Sequence, residues 1–346
     1  MKQGFFATAR AKVERFTVAG LLSLPSGVKR GMARLLAPAP AVPLDANIRF
    51  LLAASEHQPN FIQKDVAVSR KIYTDALALL DRPFEKVEQV RDHQVPVKGG
   101  QVLVREYRPR LAATPTSAVF FIHGGGFTIG SVADYDNFCR WFANTLGRPV
   151  FSLDYRLAPE HRYPTAVEDT LAAWEWLQAQ ALELGIDPQK IAVAGDSAGG
   201  CLSVILSQQA KVKPVAQCLI YPTVDQAGEY ASKTEFAEGY GLTKELKKWF
   251  TDQYLPAGTD LSHPYVSPLL TSELGDQPTT ILVTATDPLR DEALAYGKRL
   301  EEAKVPVTYF HYSQLVHGFV TMGGLVPAAG KAVEEFTAEL SKLLKQ

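Results

Sequence analysis

The sequence predicts an α/β fold in which a mostly parallel sheet carries helices on both faces. Strand-like and helix-like segments alternate from about residue 102 to the end of the 346-residue chain, and strands such as 118–122 and 281–283 are almost entirely apolar. Alternation of this kind is typical of parallel sheets, whose strands are apolar throughout because both faces are buried. A chain of this length can bury a large core without disulfides or a structural metal.

The elements follow one another in a regular order. The predicted strands are 102–107, 118–122, 149–153, 191–194, 216–221, 279–285 and 305–311, and the predicted helices are 135–146, 165–184, 198–211, 290–303 and 330–345. In helix 165–184 apolar residues recur every three or four positions, which predicts one face packed on the sheet. Residues 1–60 and 223–265 interrupt the alternation, and we expect both to fold over one end of the sheet.

The charge balance excludes a protein that binds nucleic acid through bulk charge, since 36 basic residues stand against 37 acidic ones. The three cysteines, Cys139, Cys201 and Cys218, form no Cys-x-x-Cys pair, and the seven histidines are scattered along the chain. We therefore expect a reducing, cytoplasmic compartment, no disulfide framework and no metal site. No stretch approaches the roughly 20 apolar residues of a membrane-spanning helix, so we expect no membrane span.

The first residues of the chain differ from the rest in charge. Residues 1–36 carry seven basic side chains and one acidic one. Two interpretations are open: a helical arm packed on the body of the protein, which we favour, or a basic amphipathic segment that contacts a membrane surface or directs the chain to an organelle. A secretory signal is not expected, because charged residues between Arg10 and Arg15 interrupt any apolar stretch.

The most informative run follows the strand at 191–194, where Gly195, Ser197 and Gly199 form a Gly-x-Ser-x-Gly sequence that opens a helix pattern. A serine on such a tight turn has a strained backbone and an accessible hydroxyl, and its flanking residues must lack bulk. The helix that begins here presents its dipole and the amide of Ala198 to negative charge forming beside Ser197. Taken alone, the run also fits an ordinary helix-capping serine in a glycine turn.

Three consecutive glycines, Gly124, Gly125 and Gly126, follow His123 at the end of the strand 118–122. An ordinary tight turn needs one or two glycines, whereas three let several amides point into a cavity and hold a developing oxyanion. The next glycine, Gly130, comes one residue too late for a Gly-x-Gly-x-x-Gly nucleotide loop, and no Gly-Lys-Ser or Gly-Lys-Thr follows. We expect no nucleotide at this loop and no cofactor in the protein.

A serine nucleophile needs a base, and the base needs an acid that fixes its tautomer. Asp287 follows the strand 279–285 and His317 follows the strand 305–311, each just past the carboxyl end, where α/β sheets build their binding crevice. The order serine, aspartate, histidine, each after its own strand, predicts acyl transfer. Taken singly, His317 fits a structural histidine and Asp287 fits a helix cap before Pro288.

Four other polar residues compete for these roles. Asp291 lies one helical turn beyond the predicted acid, and we interpret it as a supporting contact. Asp196 is expected to point away from its neighbouring serine. His123 is expected to brace the glycine loop, and His161 lies in a proline-rich turn.

Together these runs resemble the bacterial esterases that are similar to mammalian hormone-sensitive lipase, within the α/β-hydrolase superfamily. The resemblance covers roughly residues 45–340 and rests on the segments 123–127, 154–160, 195–200, 287–291 and 317–319. It implies an α/β-hydrolase fold with a mostly parallel eight-stranded sheet and a helical cap. The corresponding domain prediction is an N-terminal helical cap segment over residues 1–60 and a catalytic domain over 61–346, with a cap insertion at about 223–265.

The resemblance also implies roles for particular residues. The nucleophile, the base and the orienting acid are Ser197, His317 and Asp287. The oxyanion hole consists of the amides of Gly125, Gly126 and Ala198, with the adjacent Gly124 as a further candidate. The residues that brace the glycine loop are Arg156, Pro159 and Glu160.

We therefore expect a cofactor-free serine carboxylesterase that hydrolyses short-chain acyl esters through an acyl-enzyme. An amidase or N-acyl hydrolase on the same three residues is an alternative. A non-catalytic small-molecule receptor of the same fold is another, although the retained His317 argues against it. The expected partner is a small acyl ester, and a second copy of the chain or a membrane surface touched by residues 1–36 remains open.

Overall fold

The structure, a computed structural model, describes residues 14–58, 60–110 and 116–345. Its strands are β1 (Gln89–Val97), β2 (Gly100–Arg108), β3 (Thr116–Ile122), β4 (Val150–Asp154), β5 (Ile186–Asp196), β6 (Ala216–Ile220), β7 (Thr279–Ala285) and β8 (Val307–Tyr312). They form one eight-stranded sheet in the order β1-β2-β4-β3-β5-β6-β7-β8. Neighbouring strands from β4 to β8 are parallel, and β2 is antiparallel to both of its neighbours, which confirms the mostly parallel sheet.

The helices surround this sheet and precede it. They are α1 (14–22), α2 (Ser26–Leu36), α3 (Ala46–Ser55), α4 (Val66–Leu80), α5 (Asp136–Leu146), α6 (Thr165–Gln180), α7 (Ala198–Gln209), α8 (Ala231–Glu235), α9 (Lys244–Tyr254), α10 (Arg290–Glu302) and α11 (Pro327–Leu343). Each of the seven predicted strands and five predicted helices corresponds to one of these elements, with ends that differ by a few residues.

The strand β1 was not predicted, and its sequence explains why. Most of its residues are exposed, and Pro96 stands near its end. A strand at the edge of a sheet has little need of apolar residues and tolerates proline, so its composition does not distinguish it from a loop.

Alternate residues of β3 face the two helical layers, and all seven of its residues are buried. The ring of Phe121 packs against Phe138 and Phe142 of α5, with centroid distances of 5.2 and 6.3 Å. The ring of Phe120 contacts Trp174 of α6 on the opposite face, at 5.9 Å. Helix α11 shares the first face and α7 shares the second. Helices therefore cover both faces and leave the carboxyl ends of the strands free for the site.

The N-terminal helices are held to the body by basic side chains. Arg15 donates to the carbonyl oxygen of Ala78 in α4 at 3.0 Å. The buried Lys29 of α2 donates to Oδ1 of Asn47 in α3. Such contacts support the packed arm for residues 14–36, and residues 1–13 of the basic segment lie outside the described residues.

The insertion, residues 223–265, leaves the sheet after β6 and contains α8 and α9. Its two ends are joined, because the amide of Leu269 donates to the carbonyl oxygen of Val224 at 3.0 Å. It also touches the N-terminal region, where the rings of Phe61 and Trp249 lie 5.9 Å apart. Helix α4 lies in the same region, beyond the predicted boundary at residue 60.

Candidate active site

Ser197 lies between β5 and α7 on a backbone with φ of 53° and ψ of −116°, which non-glycine residues rarely adopt. The flanking glycines are required by close packing. A Cβ at Gly199 would overlap the carbonyl oxygen of Ile122, and a Cβ at Gly195 would overlap that of Gly199. The predicted strand, strained turn and helix are thus present, and they leave the serine at the carboxyl end of the sheet.

Two predicted residues meet this serine. The Nε2 atom of His317 lies 2.8 Å from the Oγ atom of Ser197, and its Nδ1 atom lies 3.1 Å from Oδ2 of Asp287. The carboxylate of Asp287 is fully buried and accepts the amide of Leu289 at 2.7 Å through its other oxygen. An ionised carboxylate only accepts hydrogen bonds, so Nδ1 carries the proton and Nε2 is free to accept one from the serine. The three side chains form one hydrogen-bonded chain.

The competing acid, Asp291, is engaged elsewhere. Its carboxylate accepts the amide of Ser232 at 2.9 Å and the guanidinium of Arg290 at 2.7 Å. These contacts link α10 to α8 and do not reach His317. His161 is exposed and does not line the cavity beside Ser197.

The glycine loop brings two amides to the same place. Gly125 and Gly126 have φ values of 117° and 57°, which favour glycine. Within the described part of the chain, the amides of these two residues and of Ala198 donate to no protein acceptor. Gly124 departs from the prediction because its amide donates to Oδ1 of Asp196 at 2.7 Å and is not available to a ligand.

Asp196 joins the glycine loop to the serine turn. Besides the amide of Gly124 it accepts the hydroxyl of Tyr135 at 3.0 Å, and burial raises the pKa of this carboxyl group. His123 braces the same loop, since its Nδ1 donates to the carbonyl oxygen of Gly124 at 2.7 Å and its ring stacks on Tyr155. The contacts of His123 agree with the expectation that it braces the loop, whereas the role of Asp196 in holding Gly124 was not predicted.

A further support was missed in the sequence. Arg70 of α4 donates to the carbonyl oxygen of Thr128 at 2.9 Å, just after the glycines, and pairs with Glu160 at 2.7 Å. Arg156, by contrast, pairs with the buried Asp169 at 2.6 Å. No local pattern marks Arg70, because its partners lie 58 and 90 residues further along the chain.

Ser197 and His317 line a cavity of about 360 Å³, whereas Asp287 is buried behind the imidazole. Most of its wall is apolar or aromatic, and α4, α9 and the loops after β5, β6 and β8 all contribute. The lining includes Phe61, Tyr73, Leu246, Lys247, Phe250 and Tyr254. The sequence placed the insertion near the site but gave no indication of which side chains of α4 and α9 face the serine.

Within the described ranges, no group of three or more His, Cys, Asp or Glu side chains is arranged to hold a metal ion. The helices of those ranges include none that is both long and apolar enough to cross a bilayer.

The sheet order, the strained serine turn and the hydrogen-bonded Ser197, His317 and Asp287 define a protein of the α/β-hydrolase class. The sequence model of the α/β-hydrolase-fold family matches residues 119–321. An ethyl acetate hydrolase of Pseudomonas putida is 35% identical over 77% of this chain and 86% of its own length. An arylesterase of Saccharolobus solfataricus is 35% identical over 81% of this chain and 93% of its own length.

A solved structure gives the same result. The hyperthermophilic esterase of the archaeon Pyrobaculum calidifontis superposes with a TM-score of 0.81 at 35% identity, covering 87% of this chain and 99% of that one. The chain belongs to the α/β-hydrolase family, among the esterases that resemble hormone-sensitive lipase.

Proposed function

We propose that this protein is a serine carboxylesterase in which Ser197 is the nucleophile, His317 the base and Asp287 the orienting acid. The observation that carries the proposal is the hydrogen-bonded chain from Asp287 through His317 to Ser197, at 3.1 and 2.8 Å. It lies beside amides that donate to no acceptor among the described residues. The relatives named as an ethyl acetate hydrolase and an arylesterase support this choice of reaction.

In the first half of the reaction Oγ of Ser197 attacks the ester carbonyl carbon while its proton passes to Nε2 of His317. The carbonyl oxygen becomes an oxyanion and accepts hydrogen bonds from the amides of Gly125, Gly126 and Ala198. Each such donor can lower the barrier by about 3–4 kcal/mol. The bond to the alcohol then breaks, and the leaving oxygen takes the proton from His317, so that an acyl-enzyme and a neutral alcohol result.

In the second half, water attacks the acyl carbon and gives its proton to His317. The oxyanion forms again against the same amides. When the bond to Ser197 breaks, its oxygen recovers the proton from His317 and the carboxylic acid is released. Asp287 stays ionised throughout and stabilises the imidazolium.

The proposed substrates are short-chain acyl esters. The cavity of about 360 Å³ is closed on one side by aromatic residues of the insertion and of the N-terminal region. We extend the predicted domain arrangement accordingly: residues 1–60 and the insertion at 223–265 act as the cap of a catalytic domain over 61–346. Helix α4 belongs functionally with that cap, since Tyr73 lines the cavity.

The test is the turnover of 4-nitrophenyl butyrate by Ser197→Ala. We expect kcat to fall by about 10⁴- to 10⁶-fold, because His317 and Asp287 cannot contribute to catalysis without the nucleophile that they activate. Ser55→Ala, an exposed serine at the end of α3, is the matched control and should turn over normally. Unchanged turnover in Ser197→Ala would end the proposal.

Two other functions remain distinguishable by experiment. An amidase on the same residues would hydrolyse an amide at least as fast as the matched ester, which has the same acyl group and the same leaving group attached through oxygen instead of nitrogen. A receptor without catalysis would not be labelled by a fluorophosphonate, whereas we expect stoichiometric labelling of Ser197.

The remaining predictions concern location and partners. We predict a cytoplasmic location. A homo-oligomer and peripheral membrane contact through residues 1–36 are open alternatives. Co-flotation of the full chain with vesicles of anionic lipid, beside a chain that begins near residue 40, tests the last of these; equal behaviour of the two removes it.

A further inference from the structure

Lys247 of α9 is the one lysine or arginine among the described residues that line the cavity. Its side chain is 21% exposed, and the walls around it are mostly apolar. An ammonium group in such surroundings is costly unless acceptors surround it. The acceptors of Lys247 therefore indicate whether its charge is already satisfied by the protein.

The protein provides this ammonium group with only a weak hydrogen-bond acceptor. Its Nζ atom lies 3.5 Å from Oε2 of Glu292, at the limit of hydrogen bonding. The same oxygen is 3.5 Å from Nζ of Lys233, so one carboxylate serves two cations. The other oxygen of the fully buried Glu292 accepts the hydroxyl of Thr223 at 3.0 Å and the amide of Val224 at 2.9 Å.

The two lysines differ in what else they contact. Lys233 also donates to the carbonyl oxygens of Asp225, at 3.2 Å, and of Gly228. The carboxylate of Asp225 is held by the hydroxyl of Tyr230 and by two amides of its own loop. For the side chain of Lys247, Glu292 is the single acceptor found in the described part of the chain. An ammonium group has three N–H donors, so Lys247 retains donors for a ligand.

This lysine is near the reacting serine. The amide of Thr223 donates to the carbonyl oxygen of Ser197 at 3.3 Å, and the Thr223 hydroxyl donates to Glu292. Lys247 is thus connected to Ser197 through Thr223 and the buried Glu292. Lys247 and Ser197 line the same cavity.

We propose that Lys247 binds a carboxylate carried by the substrate, so that the preferred esters are half-esters of dicarboxylic acids. The inference rests on the proposed esterase function and specifies its substrate class. The apolar walls contact the methylene chain, and the carboxylate at its end pairs with the ammonium group. A charge-assisted hydrogen bond in a site with little water is stronger than one between neutral groups.

The experiment compares monoethyl esters of dicarboxylic acids of four to eight carbons with ethyl esters of monocarboxylic acids of equal length. Acid release at constant pH gives kcat/KM for each, and the readout is the ratio of charged to neutral ester. We expect Lys247→Met to lower this ratio by about tenfold or more at the best chain length, and Lys247→Arg to retain most of it. Lys248→Met is the matched control, because Lys248 is exposed on the same helix and pairs with Asp252.

The outcomes separate this proposal from the esterase proposal. If the wild-type protein hydrolyses neutral esters but Lys247→Met leaves the ratio unchanged, the role of Lys247 is wrong and the esterase remains. A wild-type protein that hydrolyses neither ester ends the esterase proposal itself. Should Lys247→Met fail to fold, the wild-type ratio decides. An apolar cavity alone would disfavour the charged ester, so a charged-to-neutral ratio above one supports the proposal and a ratio below one overturns it.

Discussion

The hydrogen bond between Asp287 and His317 determines which nitrogen of the imidazole carries the proton. Because Asp287 is fully buried and also held by the amide of Leu289, the carboxylate has one orientation. The imidazole inherits that orientation and presents an unprotonated Nε2 to the serine.

Replacing Asp287 by asparagine should therefore remove activity without removing the shape of the site. The side-chain amide of asparagine can donate to Nδ1, which moves the imidazole proton to Nε2 and away from its useful position. We expect kcat for an aryl butyrate to fall by about 10⁴, as for the same change in other triads. Asp291→Asn is the comparison, and a comparable loss there would mean that the acid has been misassigned.

At this scale the sequence predicted the three side chains from their order after separate strands. It did not predict the use of each amide in the glycine loop. Gly124 donates to Asp196, which lies 72 residues away, and only the register of β3 beside β5 brings the two together. Contacts of this kind depend on how strands align, and single residue types do not encode them.

Among the elements, α9 contributes Leu246, Lys247, Phe250, Thr251 and Tyr254 to the lining of the cavity. The ring of Phe250 lies against the α-carbon of Gly126, so closely that a Cβ there would overlap the ring. A side chain of the insertion thus touches the loop that we propose as the oxyanion hole.

Phe250→Ala should lengthen the acyl chains that the protein accepts, since it removes a wall of the cavity. We expect the ratio of kcat/KM for octanoyl to butyryl aryl esters to rise by about tenfold, because each methylene group that an apolar pocket newly admits adds about 1 kcal/mol or more of binding free energy. Phe84→Ala, an exposed phenylalanine that does not line the cavity, is the control. An unchanged chain-length profile would show that Phe250 does not limit the acyl site.

Helix α4 is attached to the glycine loop through Arg70 and Glu160. The hydrogen bonds from Arg70 hold the pKa of the Glu160 carboxyl below its usual value. A carboxyl group whose pKa is lowered on folding stabilises the fold above its unfolded-state pKa, and this stabilisation is lost as the pH falls through the folded pKa.

Glu160→Gln should accordingly lower the free energy of unfolding near neutral pH, by no more than about 1 kcal/mol because the pair is partly exposed. The difference from wild type should shrink as the pH falls below the usual glutamate pKa of about 4.3. Urea denaturation of both proteins at several pH values measures this. A difference that stays constant into strong acid would contradict the assigned ion pair.

The elements that sequence patterns failed to reveal share a physical cause. β1 is an exposed edge strand, and much of α4 is exposed to solvent or to the cavity. Neither element needs a continuous apolar face. Buried strands such as β3 and β7 do need one, so their apolar composition reveals them in the sequence.

On the scale of the whole molecule, Glu292 joins α10 to both the first residues and the lysines of the insertion. It lies on α10, accepts donors from the loop after β6, and pairs with lysines of the insertion. A fully buried carboxylate that serves this many donors is sensitive to removal, because its partners are left without an acceptor.

Glu292→Ala should cost about 3–5 kcal/mol in the free energy of unfolding, the usual penalty when one member of a buried ionic cluster is removed. Chemical denaturation gives the value. Glu302→Ala, at the exposed end of the same helix, should change it by less than about 1 kcal/mol. Equal costs for the two variants would mean that the buried carboxylate is not structurally important.

The hydrogen bond between Leu269 and Val224 closes the base of the insertion. Since the cost of closing a loop grows only slowly with its length, a segment anchored in this way can be enlarged, shortened or exchanged while the sheet stays as it is. Related proteins with this scaffold can therefore differ in substrate preference while keeping the same reacting groups. The same junction offers a site at which the insertion of one protein can be transplanted onto the sheet of another.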